Sequence, residues 1–168
     1  PKPSDFKKYP DYQDKKDRGV IRILPRGPLD SSVNVSTVAS YYSFHRLTHQ
    51  YGRGSDIQLE QEYLSVGFAG CDFGDFVDLG DINSLNEIDE KNPALKYLLD
   101  FKPANHDEPT IRIQQSASND LDVNGYHYTG RTKFKVGSTF GLRSINFDDY
   151  DILVVIQVLK IDADGTVT

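Results

Sequence analysis

Four aspartates recur at every third position in CDFGDFVDLGDI (71–82), where Asp72, Asp75, Asp78 and Asp81 each precede a large apolar residue. Carboxylates in such density are hard oxygen donors, and hard donors suit Ca²⁺. A calcium site at these four residues is one chemical expectation, and a carboxylate-dependent hydrolase is another. An EF-hand loop, however, requires D-x-[DN]-x-[DN]-G and a terminal glutamate, and this run has neither. A period of three also conflicts with the period of two in a strand, which sends Asp72 and Asp75 to opposite faces. Gly70, Gly74 and Gly80 oppose a helix. The backbone reading that fits best is a short strand or turn pair, pinned to the core by Phe73, Phe76, Leu79 and Ile82.

Other residue patterns carry weaker chemistry. Asp72-Phe73-Gly74 spells a kinase D-F-G, with Phe44-His45-Arg46-Leu47 upstream. A kinase needs an aspartate directly after His-Arg, and here Leu47 stands there. His45 and His49 form H-x-x-x-H, but Arg46 replaces the glutamate of a zinc protease. The neighbouring YYSF favours a strand, in which residues four apart lie about 13 Å from one another. Nothing in the sequence brings His106 and His127 together. Asp162-Ala163-Asp164-Gly165 resembles half a calcium loop, yet Lys160 occupies the first ligand's place, so a hairpin turn is expected. Asp148, Asp149 and Asp151 read as a solvated acidic loop. Cys71 has Asp72 beside it and no cation, which describes an inert thiol. Tyr51-Gly52-Arg53-Gly54 lacks the G-K-[ST] of a phosphate loop, but Tyr51 and Arg53 are residue types that anchor protein interfaces.

The elements that must position these groups are mostly strands. The chain of 168 residues suits one core, and its net charge of −6 disfavours nucleic acid or an anionic membrane as main partner. No apolar run approaches the roughly 20 residues of a membrane-spanning helix. One cysteine allows no internal disulfide, and Asn34-Val35-Ser36 fits a glycosylation acceptor. Residues 1–18 hold three prolines and ten charged residues, the composition of an extended or disordered arm. Phe6, Tyr9 and Tyr12 on that arm are candidate partner contacts. The chain starts Pro1-Lys2-Pro3, contains no methionine and stops in TVT, so a processed or excerpted polypeptide continuing past residue 168 is expected.

Residues 19–168 are expected to form a single β-rich domain. VIRIL (20–24), SYYSFHRLTH (40–49), DIQLEQEYLSVGF (56–68) and TIRIQQSA (110–117) alternate apolar and polar residues, with a phase slip near Gln61 that predicts a bulge. YHYTGRTKFKV (126–136) and TFGLRSINF (139–147) flank Gly137-Ser138, which predicts a hairpin. YDILVVIQVLKI (150–161) reads as a central strand. One helix is well signed over about 93–101, with Asn92 as cap and Pro93 in its first position. A shorter helical turn is expected over Ser84 to Asp89, with Ser84 capping and Glu87 following. The whole reads as an antiparallel β-sandwich or barrel-like fold with one short helix.

VGSTFGLRSI followed by DILVVIQVLKIDADGTVT resembles the terminal hairpins of exported bacterial β-sandwich proteins, among them the HmuY-like haem-binding lipoproteins. That resemblance covers about residues 136–168 and implies a sandwich fold, a periplasmic or extracellular location and, by analogy, haem. It implies no site residue. The expected function is a non-catalytic binding or accessory module that contacts a protein partner or assembly. The alternatives are an exported protein binding Ca²⁺, haem or another small ligand, and the hydrolase.

Overall fold

The computed structural model describes residues 7–12, 17–27, 38–67, 72–103, 120–147 and 149–168. Phe6, Asn34-Val35-Ser36, Cys71, His106, the expected strand 110–117 and Asp148 lie outside the described residues.

The chain is mainly β, with two antiparallel sheets in a sandwich-like arrangement and one short helical segment. The smaller sheet orders β1 (Tyr41–Tyr42), β2 (Ile57–Glu60), β3 (Tyr63–Ser65) and β7 (Arg131–Lys133). The larger orders β5 (Leu121–Val123), β6 (Tyr126–Thr129), β4 (Asp72–Asp81), β8 (Ser138–Asn146) and β9 (Tyr150–Gln157). Alternation puts Ile57, Leu59 and Leu64 of the first sheet against Phe76, Phe140 and Leu142 of the second, and these form the main core. Phe76 and Phe140 meet edge to face at 6.0 Å. Burying each such ring contributes about 1.5–3 kcal/mol.

The opposite face of the larger sheet is covered by the helix. Its first turn, Pro93–Leu95, is 3-10, and α1 (Lys96–Asp100) follows. The Asn92 side chain accepts from the Ala94 amide at 3.0 Å, so cap and Pro93 act as expected. Leu95 and Leu98 pack on Val77 and Tyr128. Gly141 lies directly beneath Leu95, where a Cβ would collide with the Leu95 side chain. The glycine lets the helix sit close to the sheet. The turn expected near Ser84 is a short 3-10 segment, Leu85–Glu87, with Ser84 as its cap.

Several expectations need correction. The acidic triplets form one ten-residue strand at the centre of the larger sheet, longer than the short strand or turn pair expected. A register shift between Asp78 and Gly80, with Gly80 at φ +80°, absorbs the irregularity. The phase slip near Gln61 is a tight turn joining β2 and β3: Glu60 faces Tyr63, and Gln61 adopts φ +50°. Gly137-Ser138 joins no hairpin, because β7 belongs to the smaller sheet and β8 to the larger. The run 126–133 bends at Gly130 and serves both sheets in turn. In 20–24 only a single bridge, Ile23 to Val167, is made. Of 40–49 only Tyr41–Tyr42 is a strand; Ser40 ends a 3-10 segment, and 43–48 is a turn closed by Ser43 and Thr48. Finally, among the described residues β9 is the outermost strand of the larger sheet, with β8 as its neighbour.

Candidate functional site

The turn after β1 is built around one buried carboxylate. Asp56 is fully buried. Its Oδ2 accepts from the Phe44 amide at 2.7 Å, and its Oδ1 accepts from the Ser144 hydroxyl of β8 at 2.7 Å. Its own amide donates to the Tyr42 carbonyl at 2.9 Å. The side chain thus ties the beginning of the loop to its end and both to the larger sheet. Such charge-assisted bonds are shorter and stronger than neutral ones.

Further contacts fix the rest of the loop. The Tyr150 hydroxyl donates to the Gly54 carbonyl at 2.9 Å. Burial, and then the nearby Asp56, pushes that phenol above its ordinary pKa. The His45 ring stacks on Tyr150, with centroids 4.4 Å apart. Arg46 reaches Asp149 at 2.9 Å and Gln50 at 3.1 Å. The His49 ring is in hydrogen-bond contact with the Tyr41 carbonyl at 2.8 Å. His45 and His49 therefore serve separate partners and share no ligand.

This tethered loop presents apolar side chains to solvent. Leu47 is 77% exposed, and its backbone is left-handed with φ +52°. That conformation is strained for a residue with a bulky side chain. Tyr51 is 51% exposed and rests its ring edge-on to Tyr41 at 5.0 Å. Arg53 is exposed beside it, and its carbonyl accepts from Gln50 Nε2 at 2.8 Å.

Among the described residues, the sequence-expected partner residues Tyr9, Tyr12, Tyr51 and Arg53 do not form one surface. Tyr9 and Tyr12 are half-buried, and Tyr9 lines a small polar cleft with Lys8, Arg22, Lys160, Asp162 and Thr168. Tyr51 and Arg53 sit at the other end of β9, where Tyr150 holds Gly54. An eight-residue strand such as β9 spans about 27 Å. The four triplet aspartates are also divided. Asp72 and Asp75 are buried on opposite faces of β4, while Asp78 and Asp81 reach solvent. Asp78 accepts from the Gly80 amide at 2.8 Å, and Asp81 pairs with Lys135 at 3.0 Å. Among the described residues no three acidic, histidine or cysteine side chains gather in a way that could hold a metal ion.

Asp75 stands out. It is fully buried, and neither of its oxygens has a hydrogen-bond partner among the described residues. Burial pushes its pKa to about 8. Arg143 is its cross-strand neighbour in β8. That guanidinium, however, bonds to the Leu98 and Phe101 carbonyls and to Asp151. Alternation puts Asp75 on the same face of β4 as Val77, beneath the helical segment, and the Tyr97 pKa is raised by burial first and by Asp75 second.

Leu47, Asp56, Ser144 and Tyr150 were not sequence candidates. Asp56 directly precedes an apolar strand, and nothing in spacing links it to Ser144, 88 positions away. Comparison with known proteins finds no matching family model, no matching curated protein and no matching solved structure.

Proposed function

We propose that the chain is a non-catalytic binding module that docks a protein partner through the loop 44–54. One observation supports this most directly. The loop is fastened at several points to buried groups, yet it holds Leu47 in a strained conformation with its side chain in solvent. Strain maintained by surrounding structure belongs to sites that need a fixed shape. Rigidity also lowers the entropy lost on docking. Leu47 and Tyr51 would enter an apolar pocket on the partner, and Arg53 would lie at the rim.

The other readings find less support. A calcium site would need the triplet aspartates to converge, and β4 separates them. The His127 ring meets Asp122 at 2.8 Å and Asp120 at 3.3 Å, one carboxylate on each nitrogen. Those contacts raise its pKa, the Asp122 hydrogen bond foremost, which disfavours the neutral ring that haem or a metal requires.

A photo-activated cross-linker placed at Tyr51 in the producing cells tests the reading. One discrete protein adduct is expected, lost when Leu47→Asp is added, with the melting temperature unchanged. The purified partner should bind wild type at least about tenfold more tightly than the variant. An adduct indifferent to Leu47→Asp, or none at all, would overturn the proposal.

A further inference from the structure

The outer strand of the larger sheet has no obvious means of refusing another strand. β9 lies beyond β8, and among the described residues no strand pairs with its outer side. Alternate residues of an edge strand direct their N–H and C=O groups away from the sheet, where they form a template for pairing. Natural edges are usually blunted by charge, proline or a bulge. Between Ile152 and Ile156 β9 has none of these: the run is Ile-Leu-Val-Val-Ile, and its register with β8 is unbroken. The charge at its start, Asp151, is already held by Arg143 at 2.9 and 2.6 Å. All five apolar residues are only half-buried.

We propose that two copies of this chain join through β9, antiparallel about a two-fold axis at Val154, into one continuous sheet. The strand's own sequence selects a second copy as occupant. Reading outward from Val154, Leu153 matches Val155, Ile152 matches Ile156, and Asp151 matches Gln157. In this register every apolar residue faces an apolar residue, and no like charges oppose. The faces agree as well. Val154 and Ile156 pack towards the main core, and Leu153 and Val155 pack towards the helix-covered side. Directly opposed residues in an antiparallel pair share a face, so both layers would continue across the junction. A slip of one residue would set Ile152 against Gln157 and place the two cores on opposite sides of the sheet. The joint is isologous and closes at two. It is independent of the loop 44–54.

Sedimentation and amide hydrogen exchange, each measured over a range of protein concentrations, test the pairing. A monomer–dimer equilibrium is expected, with alternate β9 amides protected at least about tenfold more in the concentrated sample. Val154→Lys should remain monomeric while the β8 amides stay protected. Three results would overturn the proposal: a wild-type protein monomeric at every concentration, a dimer whose β9 amides ignore concentration, or growth into species larger than a dimer. The first would leave the edge to another segment of this chain or to a strand from a different protein. Because the wild-type exchange pattern is decisive alone, a variant that fails to fold does not blunt the test.

Discussion

Asp56 and Asp75 are both fully buried aspartates in the same small protein, yet their surroundings treat them in opposite ways. Asp56 lies where the smaller sheet meets β8 and receives a donor on each oxygen. Asp75 lies under the helical segment and receives none among the described residues. Burial alone therefore says little about what a carboxyl does. The satisfied one converts its desolvation into a fixed loop. The unsatisfied one holds its proton and becomes a local weakness at neutral pH.

The largest expected effect comes from Asp75. Its native pKa of about 8 lies far above the ordinary 3.8. Between those values the folded state keeps a proton that the unfolded chain has released. Asp75's contribution to stability should therefore be fullest below about pH 4, decline as pH rises towards 8, and level off above it. A shift of this size corresponds to a total on the order of 5 kcal/mol. Asp75→Asn cannot ionise, so its urea midpoint should vary much less over the same range. A wild-type midpoint as flat as the variant's would show that Asp75 has found a partner.

Next in size is Asp56→Ala. It leaves the Phe44 amide and the Ser144 hydroxyl without their shared acceptor and frees the loop they fasten. Leaving a buried donor without its acceptor costs about 1–3 kcal/mol, and here two donors lose theirs. Thermal unfolding would measure that loss, and exchange of the Phe44 amide should rise with it. Protection at Phe44 that survives the substitution would mean the loop is held by Tyr150 and Arg46 instead.

Legibility from sequence follows how local each cause is. The helix at 93–101 was readable because Asn92 and Pro93 act within two residues of their positions. The turn at Asp162–Gly165 was readable for the same reason: Asp164 caps the Thr166 amide at 2.9 Å, and Gly165 takes φ +83°. The β5–β6 hairpin is absent from the sequence expectation. Its Asn124-Gly125 pair carries a strong turn signature, with both residues at positive φ, but the flanking strands are short. Position within a sheet is a different matter. The apolar content of β9 reflects a core on one face and a helix-covered layer on the other, so it reads as central. Its outermost place among the described strands depends on which other segments pair, and no local pattern records that. The turn 43–48 misled in the other direction. Its aromatics alternate as in a strand, but His45 turns to Tyr150 and the Phe44 amide to Asp56, both distant in sequence.

The smallest effect tests whether the Asp56 site works as a unit. Ser144→Ala removes one of the two donors and leaves an oxygen of Asp56 buried without it. Left alone, that oxygen should cost about 1–3 kcal/mol. In a background that already carries Asp56→Ala, the serine has no carboxylate to serve, and its loss should cost close to nothing. The double-mutant cycle then yields a coupling of similar size to the single effect. If the two losses simply add, Ser144 contributes through packing, and the loop's attachment to the larger sheet runs through Gly54 and Tyr150 of β9. Coupling near the full single value would instead make Ser144 the link between the exposed loop and the larger sheet, so that strain at Leu47 is borne by β8, the strand against which β9 pairs.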